Sequence, residues 1–180
     1  LKEENRLKDN LVTATVMSNI GFYKALEGIG CTVETTKVGD RYVLESMMET
    51  KCVIGGEQSG HIIFLEHTTT GDGILSALQL LGALKKSGKK LSELAGEVVI
   101  YPQVLVNAKV KNENKYAYEK NERIAAEIKK LEEQMASQGR VLIRPSGTEP
   151  LVRVMIEGQN KDEIQKLAEE LAELIEKELN

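Results

Sequence analysis

Long apolar runs are missing from this chain: no stretch approaches the roughly 18 residues that a membrane-spanning helix requires, so no membrane anchor of that kind is expected. The N-terminal Leu1-Lys2-Glu3-Glu4-Asn5-Arg6 is too charged for a secretory signal, and the expected compartment is the cytoplasm. Cysteine is nearly absent. Cys31 and Cys52 both sit beside apolar neighbours, which favours reduced core thiols over a disulfide or a metal pair. An excess of positive charge is lacking too: 28 acids against 24 bases give a formal net charge of -4, which excludes a general nucleic-acid or anionic-membrane binder. Any bound anion must therefore be held by a local site. Aspartate is sparse, with Asp9, Asp40, Asp72 and Asp162 never two within 30 residues, so no Asp-x-Asp metal loop exists and no metal site is expected in this chain. What remains, 41% hydrophobic and 29% charged residues among 180, is the composition of a folded chain with room for one domain or two small ones. The chain starts on Leu, as a piece cut from a longer protein would.

The stretch with the most chemistry is Arg144-Pro145-Ser146-Gly147-Thr148-Glu149-Pro150, entered from Val141-Leu142-Ile143 and left through Leu151-Val152-Arg153-Val154-Met155-Ile156. β-Branched runs on both sides of a Pro-Ser-Gly-Thr turn predict strand, tight loop, strand. Two hydroxyls, a glycine that lets backbone N–H groups approach a ligand, and a guanidinium on each flank are the parts of a phosphate cradle. An ordinary surface turn uses the same Ser, Gly and Thr. The two bracketing arginines favour a bound dianion. Glu149 would repel that dianion if it pointed inward, so it is expected to pair with a nearby base or to brace the turn.

A second loop, Gly55-Gly56-Glu57-Gln58-Ser59-Gly60-His61, lies between the apolar Val53-Ile54 and Ile62-Ile63-Phe64-Leu65. Its glycines permit close approach, and a carboxylate and a hydroxyl two residues apart suit neighbouring sugar hydroxyls. A solvated β-turn explains the same residues. His61 reads equally as a general acid or base and as a group that orients Glu57. A zinc site of His61, Glu66 and His67 lacks the ligand spacing typical of structural zinc.

In chain order, residues 1–10 read as the fraying end of a helix, Leu11 to Met17 as a buried strand, and Ser18-Asn19 as the start of a helix striped by Ile20, Phe22, Tyr23, Leu26 and Ile29. Cys31 to Thr36 reads as a strand, and Asp40 as the cap of a helix bearing Val43, Leu44, Met47 and Met48. Strand and helix alternation predicts an α/β domain over 1–98, with a mixed or largely parallel sheet and flanking helices. The layout changes near residues 96–103. Residues 99–180 read as an α+β domain, a small sheet with helices on one face, its helices striped by Ile124, Ile128, Leu131 and Met135 and by Ile164, Leu167, Leu171, Leu174 and Ile175.

With both loops present in this order, the chain resembles the α-D-phosphohexomutases over essentially its whole length, corresponding to most of that family's third domain and all of its fourth. Gln58, the Val38-Gly39-Asp40-Arg41-Tyr42-Val43 turn and Thr69-Thr70-Gly71-Asp72-Gly73 resemble the bacterial members that interconvert glucosamine 6-phosphate and glucosamine 1-phosphate on the way to UDP-N-acetylglucosamine and peptidoglycan. The resemblance implies an intramolecular phosphotransferase: a phosphoserine in the first domain, a Mg2+ in an Asp-Gly-Asp-x-Asp-Arg loop of the second, and a bisphosphate intermediate. It implies that Glu57 and Ser59 hold sugar hydroxyls, that Arg144, Ser146, Gly147, Thr148 and Arg153 grip the phosphate that is not reacting, and that Gly39, Asp40 and Arg41 form another substrate-facing turn. Thr13 to Asn19 is superficially similar to the family's serine loop but lacks its His and Pro, so Ser18 is not expected to carry phosphate. The chain alone is expected to be inactive, with a phosphosugar and the missing N-terminal domains as partners and a homodimer left open. Mannose or glucose specificity, or a noncatalytic phosphosugar-binding module, remain as alternatives.

Overall fold

The computed structural model describes every residue of the chain apart from the side chain of Ser137, and it divides into two compact units, Leu1–Ile100 and Tyr101–Asn180. In the first, the β-branched run settles as β1 (Leu11–Thr15), ending where the Ser18 N–H turns back to the Thr15 carbonyl at 3.0 Å. The helix α1 (Ile20–Gly28) follows, capped by Asn19, whose side chain accepts from the Gly21 N–H at 3.0 Å. Then come β2 (Thr32–Thr36), α2 (Asp40–Thr50) and the hairpin of β3 (Ile54–Gly56) and β4 (Ile62–Phe64). The sheet order is β2-β1-β3-β4, with β1 parallel to β2 and β3, and β4 antiparallel to β3. The sheet is therefore mixed, because a short hairpin can only return antiparallel.

Val43 and Met47 of α2 pack with Cys52 and Ile63 in this unit's core. The helix can sit that close only over a glycine: a β-carbon at Gly55 would lie 2.6 Å from Met47 Sδ and 2.9 Å from Val43 Cγ1. Asp72 caps α3 (Gly73–Ser87), accepting from the Leu75 N–H at 2.9 Å, and α4 (Leu91–Ala95) closes the unit.

Two expectations fail here. Residues 1–10 are turns and a single 3-10 turn (Lys8–Asn10) instead of a helix end, since Asn5, Asp9 and Asn10 adopt φ of 54°, 53° and 53°, which no right-handed helix accommodates. Asp40 is the first helical residue of α2 and not its cap. That place belongs to Gly39, whose φ of 131° favours glycine, while Asp40 Oδ1 accepts from the Arg41 N–H at 2.8 Å.

The second unit is an antiparallel three-stranded sheet, order β5-β7-β6, built from β5 (Gln103–Lys109), β6 (Arg140–Pro145) and β7 (Leu151–Glu157). Alternation sends Val104 and Ala108 of β5 and Val152, Val154 and Ile156 of β7 to one face. There α5 (Glu122–Met135) contributes Ile124 and Leu131, and α6 (Lys161–Leu179) contributes Ile164, Leu171 and Ile175. Each such buried aliphatic side chain is worth about 1.5–3 kcal/mol. Asn121 and Asn160 cap the two helices, each accepting from two backbone N–H groups. Helices on one face of an antiparallel sheet make this unit α+β.

Candidate functional site

The polar loop of the second unit is the turn between β6 and β7. Its closing rung is the Ser146 N–H to the Leu151 carbonyl, 2.9 Å. Ser146 is 3% exposed, and its hydroxyl oxygen accepts from the Glu149 N–H at 3.2 Å, so this side chain braces the turn and keeps its own proton for another acceptor. Gly147 and Thr148 are exposed, and their backbone N–H groups have no partner among the described residues.

Register then does something that spacing alone does not show. Arg144 and Arg153 stand directly opposite each other across β6 and β7. Like charges facing across a ladder destabilise it. Arg153 Nη2 meets Glu149 Oε2 at 3.4 Å, an exposed and long contact, so Glu149 does pair with a nearby base. Arg144 has no acceptor among the described residues; partial burial first, and the Arg153 charge second, push its pKa below the ordinary guanidinium value. Two cations on the flanking strands, two N–H groups without a partner among the described residues and the Ser146 hydroxyl thus lie in or beside one turn, the kinds of donor that oxyanions take.

One group at this loop went unnoticed in the sequence. Lys115, only 8% exposed, donates from Nζ to the Ser146 carbonyl at 2.6 Å. It sits in Lys111-Asn112-Glu113-Asn114-Lys115-Tyr116, a polar connection whose composition marks no single lysine.

In the first unit, the β3–β4 turn closes with the Glu57 N–H on the His61 carbonyl at 2.9 Å and the Gly60 N–H on the Glu57 carbonyl at 3.0 Å. Glu57 Oε1 accepts from the Gly39 N–H at 2.9 Å. That bond joins the Gly39-Asp40-Arg41 turn to the Glu57 loop, two stretches 18 residues apart, and leaves the second carboxylate oxygen available. Arg41 instead turns along its helix, Nε donating to Glu45 Oε1 at 2.8 Å, and that carboxylate raises its pKa. Ser59 Oγ lies 3.2 Å from His61 Nδ1, so the imidazole orients Ser59 while Glu57 is held by Gly39. A cavity of about 310 Å³ adjoins the loop, walled by Val12, Ala14, Phe22 and Ile54 with Glu57 and Gln58. The three residues of the zinc reading part company: His61 bonds Ser59, Glu66 pairs with Arg6, and His67 Nε2 lies 3.1 Å from Gln79. Among the described residues no group of three or more His, Cys, Asp or Glu could hold a metal ion. Ser18 is buried in the turn after β1.

Comparison with known proteins agrees with this division into two units. Residues 1–101 match the family model described as phosphoglucomutase/phosphomannomutase, alpha/beta/alpha domain III, and residues 105–174 match the phosphoglucomutase/phosphomannomutase C-terminal domain. The phosphoglucosamine mutase of Thermoanaerobacter sp. (strain X514) is 63% identical over 180 residues, all of this chain and 40% of that protein. That of Alkaliphilus metalliredigens (strain QYMF) is 62% identical over 179 residues, 99% of this chain and again 40% of the relative. The chain therefore spans 40% of the length of the curated relatives it matches. Among solved structures, the Aspergillus fumigatus N-acetylphosphoglucosamine mutase superposes with a TM-score of 0.79 at 22% identity, over 93% of this chain and 38% of that one. An N-acetylglucosamine-phosphate mutase in a product complex gives 0.73 at 24% identity, over 92% and 38%. Those two are likenesses of fold. With two consecutive domain models matched in order across a mixed sheet and a three-stranded antiparallel one, the chain belongs to the phosphoglucomutase/phosphomannomutase family.

Proposed function

We propose that this chain is the substrate-holding part of a phosphoglucosamine mutase, a cytoplasmic enzyme that interconverts glucosamine 6-phosphate and glucosamine 1-phosphate. The observation that carries the reading is Arg144 facing Arg153 across the ladder beside the open N–H groups of Gly147 and Thr148. Such a socket fixes one phosphate of the sugar while the other end reacts. Phosphoryl transfer depends chiefly on positioning and charge neutralisation, so a remote clamp contributes to the rate without touching the reacting bond. Glu57 and Ser59 would read ring hydroxyls, with His61 orienting Ser59 or exchanging a proton with the sugar. A mutase must accept its substrate in two orientations, and a single phosphate socket with hydroxyl contacts in mid-ring permits both. The choice of glucosamine rests on the relatives at 63% and 62% identity.

The phosphoserine that donates to the sugar and the Mg2+ that neutralises the transferring group belong, in this reading, to the remainder of the polypeptide. Asp9, Asp40, Asp72 and Asp162 are dispersed in the sequence, and the described residues do not fit a Mg2+ site. The partners required are thus the phosphosugar and the other domains of the same protein. The test is titration of the 180-residue chain with inorganic phosphate and with glucosamine, mannose and glucose 6-phosphates, followed by amide chemical shifts. The expected result is perturbation of residues 144–153 by all four ligands, with the tightest binding for glucosamine 6-phosphate. Absence of any response there would overturn the socket, and mutase turnover by this chain alone would overturn the division of labour.

A further inference from the structure

We infer that Lys115 is a positioning residue for the phosphate loop, holding the Ser146–Gly147 peptide so that its N–H is presented to the anion. The inference rests on the phosphate reading above and adds a group to it. A lysine ammonium is rarely buried without a carboxylate, because its desolvation must be repaid by charge or hydrogen bonds. Lys115 is 8% exposed, it enters no ion pair among the described residues, and the acceptor at its Nζ is the Ser146 carbonyl, 2.6 Å away. The Tyr116 ring, with its centroid 5.9 Å from the ammonium, adds only a weak contact.

What that single bond does follows from amide geometry. No peptide bond among the described residues is cis, so the Ser146 carbonyl and the Gly147 N–H point in opposite directions from one plane. Pinning the oxygen on Lys115 therefore aims the N–H the other way. Donation by a cation to the carbonyl also polarises the amide, which makes its N–H a stronger donor. Gly147 is exposed, its N–H has no partner among the described residues, and nothing would lie within 4 Å of a β-carbon there, so an anion can reach the backbone. Arg144 and Arg153 come from the strands, whereas Lys115 comes from the connection after β5 and works from behind the turn. The charge of an ammonium on a slender stem suits a single carbonyl better than a planar guanidinium does.

The experiment compares wild type with Lys115→Met, which keeps the stem, and Lys115→Arg, which keeps the charge, using inorganic phosphate as the probe. Lys115→Met is expected to stay folded by its dispersed amide spectrum and to bind phosphate roughly tenfold more weakly, as the loss of a charge-assisted bond predicts. The phosphate-induced shift of the Gly147 amide should shrink most, and Lys115→Arg should restore most of the affinity. A purely structural lysine would leave a folded Lys115→Met with wild-type affinity, and that result overturns the proposal. If Lys115→Met does not fold, the wild-type Lys115 15Nζ resonance decides: movement on adding phosphate supports the role, and an unmoved resonance overturns it. Binding that survives Lys115→Met but is lost in Arg144→Ala sinks only the lysine. No phosphate response in wild type sinks the socket and the lysine together.

Discussion

The β6–β7 ladder carries an arginine near each end, and the two ends solve opposite problems. At one end Arg140 stands opposite Glu157, with Nε 2.6 Å from Oε2 and a carboxylate side chain that is fully buried. At the other, Arg144 stands opposite Arg153, like charge against like, and Arg144 has no acceptor among the described residues. The first pairing is complete inside the protein. The second sets like charges across the ladder, which costs the fold something, and in the function proposed above a bound anion would supply the missing charge. On one hairpin, a structural ion pair and the proposed anion site thus differ in whether the opposing residue answers the charge.

The largest effect should come from breaking the complete pair. Arg140→Ala removes the guanidinium facing a buried carboxylate and is expected to cost about 3–5 kcal/mol of stability in chemical denaturation. Phosphate affinity of the molecules that remain folded should be unchanged. Arg144→Ala should do the reverse, lowering phosphate affinity by about 1.5–3 kcal/mol while changing stability by less than about 1 kcal/mol. If Arg144→Ala unfolds the unit, Arg144 is a structural group and the contrast fails. A sharper version is Arg144→Glu, which turns the binding end into a copy of the structural one. Stability should rise by about 0.2–1 kcal/mol through the new cross-strand pair, and phosphate binding should vanish. A stabilised variant that still bound phosphate would place the anion elsewhere.

Smaller effects lie in the first unit. Glu57→Gln should lower the affinity for glucosamine 6-phosphate several-fold, as expected for a hydrogen bond to a charged acceptor, and leave inorganic phosphate binding intact. Equal loss of both ligands would contradict a separate hydroxyl-reading role. The smallest change belongs to an exposed cluster. Hydrogen bonds from Lys86 first and Arg6 second hold the Glu4 pKa at about 2 instead of 4.5. Because the folded value is the lower one, its contribution is present above pH 4.5 and disappears as the pH falls toward about 2. Glu4→Gln should thus slightly reduce stability at neutral pH and flatten the acid limb of the unfolding curve. Solvent and salt keep this effect small.

Much of the architecture was legible because it rests on local periodicity. Val104, Val106 and Ala108 alternate as a strand must, and Ile164, Leu171 and Ile175 recur as a buried helix face must. The strand, turn and strand around Ser146 were readable from β-branched runs and turn residues. What was hidden depends on distant partners or on backbone dihedrals. The Gly39 bond to Glu57 spans 18 residues, and nothing in Lys111 to Tyr116 announces that Lys115 is buried under Ser146. Positive φ at Asn5, Asp9 and Asn10 replaced a predicted helix end with turns. The facing of Arg144 and Arg153 was implicit in a hairpin centred between Thr148 and Glu149, but it needs the register to be seen.

The Gly39 N–H also sets the temperament of the carboxylate it holds. With one oxygen tethered to the N–H of the residue that caps α2, Glu57 has little freedom to swing, so a molecule bound in the proposed role would have to conform to it. Fixing a side chain before contact lowers the entropic toll of association. In the sugar-reading role proposed above it would also make the geometry unforgiving: a sugar whose hydroxyl points the wrong way would meet an acceptor that does not follow, and stereochemical choice would arise from stiffness.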